Sequence, residues 1–380
     1  MARSWTVLFL SGAAIAAGGY PDETHPRAPD TALEIVFKPW YCAECVREKL
    51  LESPEREVRM MRMPVAELAK ILELPTNHIV IETPNFKILS TLKRDNVKLT
   101  DSVFLRADLE RLKRIFPRFT VGLQGASLTA HQRAHLYQIR AERIYCHFSA
   151  LTGSKSKYLG MKEPYELYLF DDYAEHHALV DRFVGLRNDK SGVNMHMRED
   201  PAYLMVSAAE SLVPGGDYAF SNHVIHNIAH NLADGYGGYF LETWAWLEEG
   251  LAHYYERRET PRRNTFCREE GTGANLFEKE DWESTILNLV NRGKDTPLSS
   301  WCEKLRPGEL TPVEHGLCWS IMEWMVRTEP VRFAKMIEKA QEYETKPNAE
   351  TCLQFAFGAS PSVLHQRWRE WVEREYPKRK

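Results

Sequence analysis

Two histidines and a distant glutamate have the types and spacing of a zinc-ligand set. His226 and His230 stand four residues apart in H-N-I-A-H, and residues 231 to 248 separate them from Glu249 in W-L-E-E-G-L-A. On a helix, residues four apart share a face at about 5 to 6 Å, so both imidazoles can reach one ion. Two imidazoles and a carboxylate leave a fourth zinc position open, as catalytic zinc sites do. The spacing therefore predicts a zinc site at His226, His230 and Glu249.

Two helices must position these ligands. An apolar stripe predicts that the histidine helix buries one side, and it comprises Ile225, Ile228, Ala229 and Leu232. A second helix is predicted from Thr243 to about Glu256, after a turn at Gly235, Gly237 and Gly238. Gly250 follows the ligand and has no side chain, which suits a place where two backbones approach closely.

The stretch Asn222–Glu256 resembles the active-site region of the gluzincin metallopeptidases, the clan of thermolysin and aminopeptidase N. Their pattern is H-E-x-x-H, eighteen residues and a ligand glutamate, often in W-L-x-E-G-x-A. The similarity is closest to exported bacterial members, which also carry segments similar to E-T-P-N-F-K-I-L-S and to Ala356–Val372. The resemblance covers roughly residues 80 to 376, and only the Asn222–Glu256 motif is specific. It implies that His226, His230 and Glu249 bind Zn²⁺ beside a cleft for a peptide or protein.

The chain departs from that pattern at Asn227, where the zinc peptidases carry the glutamate that takes a proton from the metal-bound water. An amide can hydrogen-bond this water but cannot accept its proton. Zinc by itself can bring the pKa of the water near 7 and polarise a carbonyl, so slow hydrolysis stays possible. Efficient peptidase chemistry needs a substitute base.

Three residues near the motif are candidates for that base. Glu248 precedes the ligand, but neighbours on a helix point about 100° apart, which argues against it. His223 lies on the face of His226 and is a candidate base, orienting group or ligand, or a polar residue near the helix start. His253 lies four residues past Glu249, and its favoured interpretation is a partly exposed surface histidine.

Two further residues have candidate supporting roles. By resemblance, His315 occupies the place of a tyrosine that stabilises the oxyanion, and the alternative is a histidine at the cleft edge or surface. Asp234 is a candidate carboxylate for orienting an imidazole, or a carboxylate at the helix end.

The pattern of the remaining chain predicts an α+β fold. A zincin-like lobe with strands and the active-site helix, residues 76–258, precedes a mainly helical C-terminal lobe, residues 259–380. Residues 1–19 are predicted as a signal peptide and 20–75 as a linker with a small C-x-x-C region. The predicted strands are Leu33–Phe37, 79–81, Phe86–Ser90, Tyr165–Phe170, half-buried by its alternation, and Tyr203–Val206. The predicted helices outside the metal motif are Pro64–Leu72, Ser102–Ile115, Thr129–Leu151, Tyr173–Leu186, Trp282–Val290, Val313–Val326, Pro330–Tyr343, Ala349–Ala356 and Pro361–Tyr376.

The N-terminal sequence indicates where the protein is located, and the net charge restricts its partners. Arg3 followed by the apolar run Trp5–Gly19 has the layout of a signal peptide, which predicts export to the periplasm or the extracellular space. A short anchor or a buried first helix is the alternative. A net charge of -4 without a basic stripe disfavours nucleic acid. No later segment has the composition of a membrane span. Composition leaves the oligomeric state and the substrate open.

Seven cysteines include one close pair, Cys42 and Cys45 in C-x-x-C. No histidine follows the pair, so the motif does not support covalent haem attachment, and the sequence lacks the second close cysteine pair that a zinc ribbon would need. A local disulfide or plain thiols is the favoured interpretation, and a redox pair is the alternative.

Three functions remain open on these residues. The favoured one is a degenerate metallopeptidase that keeps zinc and the cleft. The second is an active zinc peptidase or amidohydrolase that uses a substitute base or the metal hydroxide alone. The third is a helical protein whose histidines bind no metal. Whether the chain is an enzyme depends on position 227.

Overall fold

The computed structural model describes residues 38–52, 56–185, 195–197, 202–209, 213, 215–236, 243–260, 264–266, 281–342 and 345–376. The predicted signal peptide and the predicted strand Leu33–Phe37 lie outside the described residues. Of the helices in these ranges, none is both long and apolar enough to cross a membrane.

A mixed six-stranded sheet forms the centre of the first half of the chain. Its strands, in spatial order, are β1 (Tyr41–Cys42), β4 (Ile79–Glu82), β5 (Phe86–Ser90), β8 (Tyr165–Phe170), β10 (Tyr203–Ser207) and β9 (Met195–Met197). The pairs β5–β8 and β8–β10 are parallel, and the remaining neighbours are antiparallel. Two small two-stranded antiparallel sheets lie outside this sheet: β2 (Arg59–Met60) pairs with β3 (Met63–Pro64), and β6 (Asp95–Lys98) pairs with β7 (Gly125–Leu128).

Both faces of the sheet are covered, which corrects one prediction from the sequence. Every residue of β8 is buried, whereas its alternation predicts a half-buried strand. Leu167 and Leu169 point into the main core, and Tyr168 and Phe170 point into a second hydrophobic cluster. The second cluster also contains Leu179 from the helix after β8. Aromatic side chains therefore occupy the positions that the alternation assigns to solvent.

Twelve helices are present in the described residues. They are α1 (Ala43–Arg47), α2 (Val65–Ile71), α3 (Leu105–Ile115), α4 (Ala130–Thr152), α5 (Tyr173–Val184), α6 (Gly216–Tyr236), α7 (Ala245–Glu259), α8 (Trp282–Asn291), α9 (Pro312–Thr328), α10 (Pro330–Ala340), α11 (Ala349–Phe357) and α12 (Pro361–Glu375). The α+β class and the helical C-terminal part are thus confirmed. The structure also joins the C-x-x-C segment to the sheet, because β1 pairs with β4.

N-terminal caps define where the long helices begin, and buried contacts determine how these helices pack. Thr129 and Thr311 form capping boxes at the N-termini of α4 and α9, which satisfies backbone N–H groups that a helix start leaves free. Helix α7 packs between α6 and α9. On its side facing the C-terminal helices, the guanidinium of Arg257 lies 4.5 Å from the ring of Trp282 and 4.6 Å from that of Trp319. These contacts tie the first half of the fold to the second.

A buried carboxylate fastens the turn between β4 and β5 to α4, and it makes the stability of the protein depend on pH. Glu142 accepts hydrogen bonds from the Thr83 hydroxyl and from the backbone and side-chain nitrogens of Asn85. Burial outweighs these bonds and raises the pKa of Glu142 to about 7. In the unfolded chain a glutamate has a pKa of about 4.3. As pH rises from about 4 to about 7, the unfolded state therefore ionises first and the folded state loses stability.

We expect the free energy of unfolding of wild type, measured relative to Glu142→Gln, to fall by roughly 3 kcal/mol between about pH 4 and about pH 7. Urea titrations of both proteins across this range measure the difference. Glu163→Gln removes an exposed carboxylate and serves as the control, for which the difference should stay nearly flat. A wild-type-minus-E142Q difference that does not change with pH would contradict the prediction.

Candidate metal centre

Helices α6 and α7 bring the three predicted zinc ligands together. His226 and His230 lie one turn apart on α6, and Glu249 lies on α7, which packs along α6. All three side chains are buried. Gly250, next to the ligand, has its Cα against α9, where an added Cβ would come within 2.8 Å of the backbone carbonyl oxygen of Cys318. The close backbone approach at Gly250 is therefore with α9, whereas the sequence places it between the two helices that carry the predicted ligands.

The ligand atoms converge on one point. The Nε2 atoms of His226 and His230 are 3.2 Å apart, and Oε2 of Glu249 lies 3.8 Å and 3.7 Å from them. In a tetrahedral zinc site with bonds of about 2.0 to 2.1 Å, two such donors are about 3.3 Å apart. The observed triangle is slightly wider on the carboxylate side. A small ion can therefore touch all three atoms with little rearrangement.

A second carboxylate orients His226. Oε2 of Glu256, two turns past Glu249 on α7, lies 3.3 Å from Nδ1 of His226. Burial acts to raise the pKa of Glu256, but the hydrogen bonds with His226 and His253 outweigh it, and the pKa is lowered. An ionised Glu256 accepts the Nδ1 proton of His226 and leaves Nε2 free to bind a metal. A carboxylate behind a ligating histidine is a regular feature of zinc sites.

His253 belongs to the same cluster, and its interpretation as a partly exposed surface histidine is wrong. The side chain is fully buried. Its Nδ1 lies 3.4 Å from Oε2 of Glu256, and its ring meets that of His226 edge to face with centroids 5.1 Å apart. Glu249, His253 and Glu256 share one face of α7, which explains why this helix supplies both the ligand and its support.

Asn227 is buried beside the ligands. Its Nδ2 donates a hydrogen bond of 2.8 Å to the backbone carbonyl of His223, one turn earlier on α6. The amide thus bonds to its own helix at the position where the resemblance places a catalytic glutamate. Its chemistry is the one expected from the sequence, a group without basicity next to the metal ligands.

The other candidate residues occupy separate places. Glu248 lines an open pocket of about 760 Å³ together with Lys304 and Arg306. His315 is fully buried in α9, so its interpretation as a surface histidine is wrong, and Asp234 is buried near the end of α6. Within the described ranges, the convergent donor groups that contain His226 also draw on His230, Glu249, His253 and Glu256. Neither Glu248, His223, Asp234 nor His315 is among them. The oxyanion role of His315 stays a prediction.

A second cluster of donor atoms lies at the C-x-x-C segment. Cys42 and Cys45 are free thiols, so the local disulfide is not formed. Their sulfurs face His131 and His135 in the first turns of α4, and the four donor atoms lie within 4.8 Å of one another. The second pair of donors is therefore two histidines, His131 and His135, and not the second cysteine pair of a zinc ribbon. The detectable signal was H-x-x-x-H at the start of a strongly periodic helix.

Comparison of the chain with protein-family models, with curated proteins and with solved structures found no match in any of the three. The case for function therefore depends on the site itself.

Proposed function

We propose that this chain is a zinc-binding protein of the gluzincin type, with a zincin-like arrangement and a degenerate peptidase site. His226, His230 and Glu249 hold Zn²⁺, and Asn227 leaves the metal-bound water without its usual base. The zinc site then serves to bind a peptide or protein in the cleft, or to support the fold, more than to hydrolyse a substrate. The predicted export and the absence of a basic stripe suit a protein ligand better than nucleic acid.

The single observation that carries the proposal is the convergence of three buried donors from two helices. Two imidazole nitrogens 3.2 Å apart, with no metal between them, would compete for one proton in a buried setting. The carboxylate oxygen of Glu249 lies within 3.8 Å of both nitrogens. A buried negative charge needs a positive partner, and a dication bound between the three atoms would provide it. The contact between Glu256 and His226 adds the support that ligating histidines have in zinc proteins.

The degenerate chemistry is supported by how the neighbouring carboxylates are used. Glu256 bonds to the Nδ1 side of His226, away from the metal-facing Nε2. Glu248 faces a pocket with Lys304 and Arg306. A general base must lie within about 2.6 to 3.2 Å of the water that it activates. Asn227 is the side chain next to the first ligand, and it has no proton-accepting group of useful basicity.

Metal analysis of the purified full-length chain tests the metal half of this proposal. We expect wild type to hold one equivalent of zinc more than His226→Ala, and His78→Ala, a control histidine that bonds to the backbone of Pro75, to show no such loss. Glu256→Gln should keep this zinc but weaken its affinity about 10- to 100-fold in a chelator competition. Unchanged zinc content in a folded His226→Ala protein would contradict the proposal and favour histidines that bind no metal.

A further inference from the structure

The four donor atoms of the C-x-x-C cluster all lie within 4.8 Å of one another. Nε2 of His131 lies 3.3 Å from the sulfurs of both Cys42 and Cys45, and Nε2 of His135 lies 3.2 Å from Cys45. Zinc bonds of about 2.3 Å to sulfur and about 2.0 to 2.1 Å to nitrogen place sulfur and nitrogen about 3.5 Å apart. The observed distances are within a few tenths of an ångström of that value.

Both imidazoles are turned so that Nε2 faces the sulfurs. Nδ1 of His135 lies 2.8 Å from the amide oxygen of Gln138, which accepts its proton and leaves Nε2 as a donor to metal. Nδ1 of His131 lies 3.5 Å from a carboxylate oxygen of Glu48. The hydrogen bond behind His135 is the arrangement that fixes the tautomer of a ligating imidazole, whereas His131 has a carboxylate nearby without a hydrogen bond to it. A hydrogen-bonded thiol pair alone gives no reason for it.

The cluster is closed to solvent. Both cysteines are 0% exposed, His135 is 0% exposed and His131 is 6% exposed. Phe116 packs edge to face against both imidazole rings, with centroids 4.9 Å and 5.3 Å away. A redox C-x-x-C needs a sulfur that a partner can reach, so this burial disfavours the redox alternative. Four buried donors without an open position are the mark of a structural site rather than a catalytic one.

The elements that carry the cysteines are short. Strand β1 has two residues and helix α1 has five, and β1 pairs with β4 at the edge of the sheet. The histidines come from the first turns of the 23-residue helix α4. A bond network between these parts would fasten the N-terminal segment to the core. Two thiolates and two imidazoles in a tetrahedral set select zinc among common divalent ions.

We propose that Cys42, Cys45, His131 and His135 form a second metal site, a structural Cys2His2 zinc site that fastens the C-x-x-C segment to α4. It is separate from the His226, His230 and Glu249 site and does not depend on the function proposed for that site. The full-length chain is then a two-zinc protein, with one closed site and one that has an open position.

Cobalt substitution distinguishes the two sites, because thiolate ligands give Co²⁺ a near-ultraviolet charge-transfer absorption that imidazole and carboxylate ligands do not. The reduced, metal-free full-length chain should develop this absorption on titration with Co²⁺ and reach its maximum at one equivalent bound through sulfur. Cys42→Ser and His131→Ala should lose the band, whereas His226→Ala should keep it. Cys146→Ser, a half-buried thiol later on α4, is the matched control and should leave the band unchanged.

A second measurement keeps the proposal testable if these variants do not fold. Zinc should slow the alkylation of Cys42 and Cys45 in the wild-type chain by at least about tenfold relative to the metal-free protein, and leave Cys146 unaffected. His135→Cys, which replaces one zinc donor with another, should retain the band. The proposal is overturned if the reduced wild-type chain gives no sulfur-to-cobalt absorption, or if the protein purified without reductant has Cys42 and Cys45 joined as a disulfide. Loss of zinc in His226→Ala with the band intact would bear only on the other site.

Discussion

Replacing Asn227 with glutamate should give the protein a peptidase activity about 10² to 10⁴ times that of wild type, and a chelator should abolish it. The reason is that the substitution supplies a base beside a metal site whose other parts are already in place. This range equals about 3 to 5 kcal/mol of activation free energy at 1.36 kcal/mol per decade. Initial rates on a broad library of fluorogenic peptides measure the effect.

Asn227→Gln is the matched control, since it adds the same methylene as glutamate but keeps an amide. It should remain at the wild-type level. Asn227 is buried and bonds to the carbonyl of His223, so both variants lose or shift that hydrogen bond and should be destabilised by a similar amount, about 1 kcal/mol. Wild-type cleavage that a chelator abolishes would instead identify an active hydrolase with a substitute base. An inactive Asn227→Glu protein that still binds zinc would contradict the proposal that this is a degenerate peptidase site.

The fold was predictable from the sequence where its signals are local. The periodicity predicts a helix over Val313–Val326, and α9 extends from Pro312 to Thr328. The two-residue strands and the β6–β7 pair were not predicted, because such short extended segments carry no periodicity, and β1 and β6 also pair with strands that are distant in the chain. The burial of β8 could not be predicted for a related reason. Helix α5 covers the second face of β8, and the sequence of the strand alone does not show that a separate helix packs there.

The same distinction between local and distant signals applies to the metal centres. His226, His230 and Glu249 are found by spacing, because one turn of helix and one connection relate them. Glu256 lies seven residues past Glu249 on the same helix face, so its position could be predicted from spacing. Its burial and its hydrogen bond with His226 could not. No local pattern joins Cys42 to His131, which lies 89 positions later. Only the folded chain brings that set together.

Removing the carboxylate of Asp217 should cause a large loss of stability, because this group holds the start of α6, the helix of His226 and His230, against α4. Its Oδ1 accepts hydrogen bonds of 2.8 Å from Nε of Arg133 and from the hydroxyl of Tyr137, and its Oδ2 lies 3.5 Å from Arg140. Burial acts to raise the pKa of Asp217, but the two guanidinium groups outweigh it and lower the pKa. Asp217 is therefore ionised and fully engaged in the folded protein.

We expect Asp217→Ala to lower the free energy of unfolding by about 3 to 5 kcal/mol, since it leaves two buried arginines without their shared counter-charge. Urea denaturation near neutral pH measures this loss. Asp95→Ala is the matched control, because Asp95 contacts the same Arg133 at 3.5 Å from a partly exposed position. A pair of that kind contributes only about 0 to 1 kcal/mol.

Equal losses in Asp217→Ala and Asp95→Ala would mean that the buried network adds no more than an exposed ion pair does. A larger loss at Asp217 would instead show that the buried network between α4 and α6 contributes more to stability than an exposed ion pair does. Helix α4 carries His131 and His135 in its first turns and Arg133, Tyr137 and Arg140 beside them, and α6 carries His226 and His230 beyond Asp217. The contact between these helices therefore joins the two elements that carry the four histidines of the proposed sites.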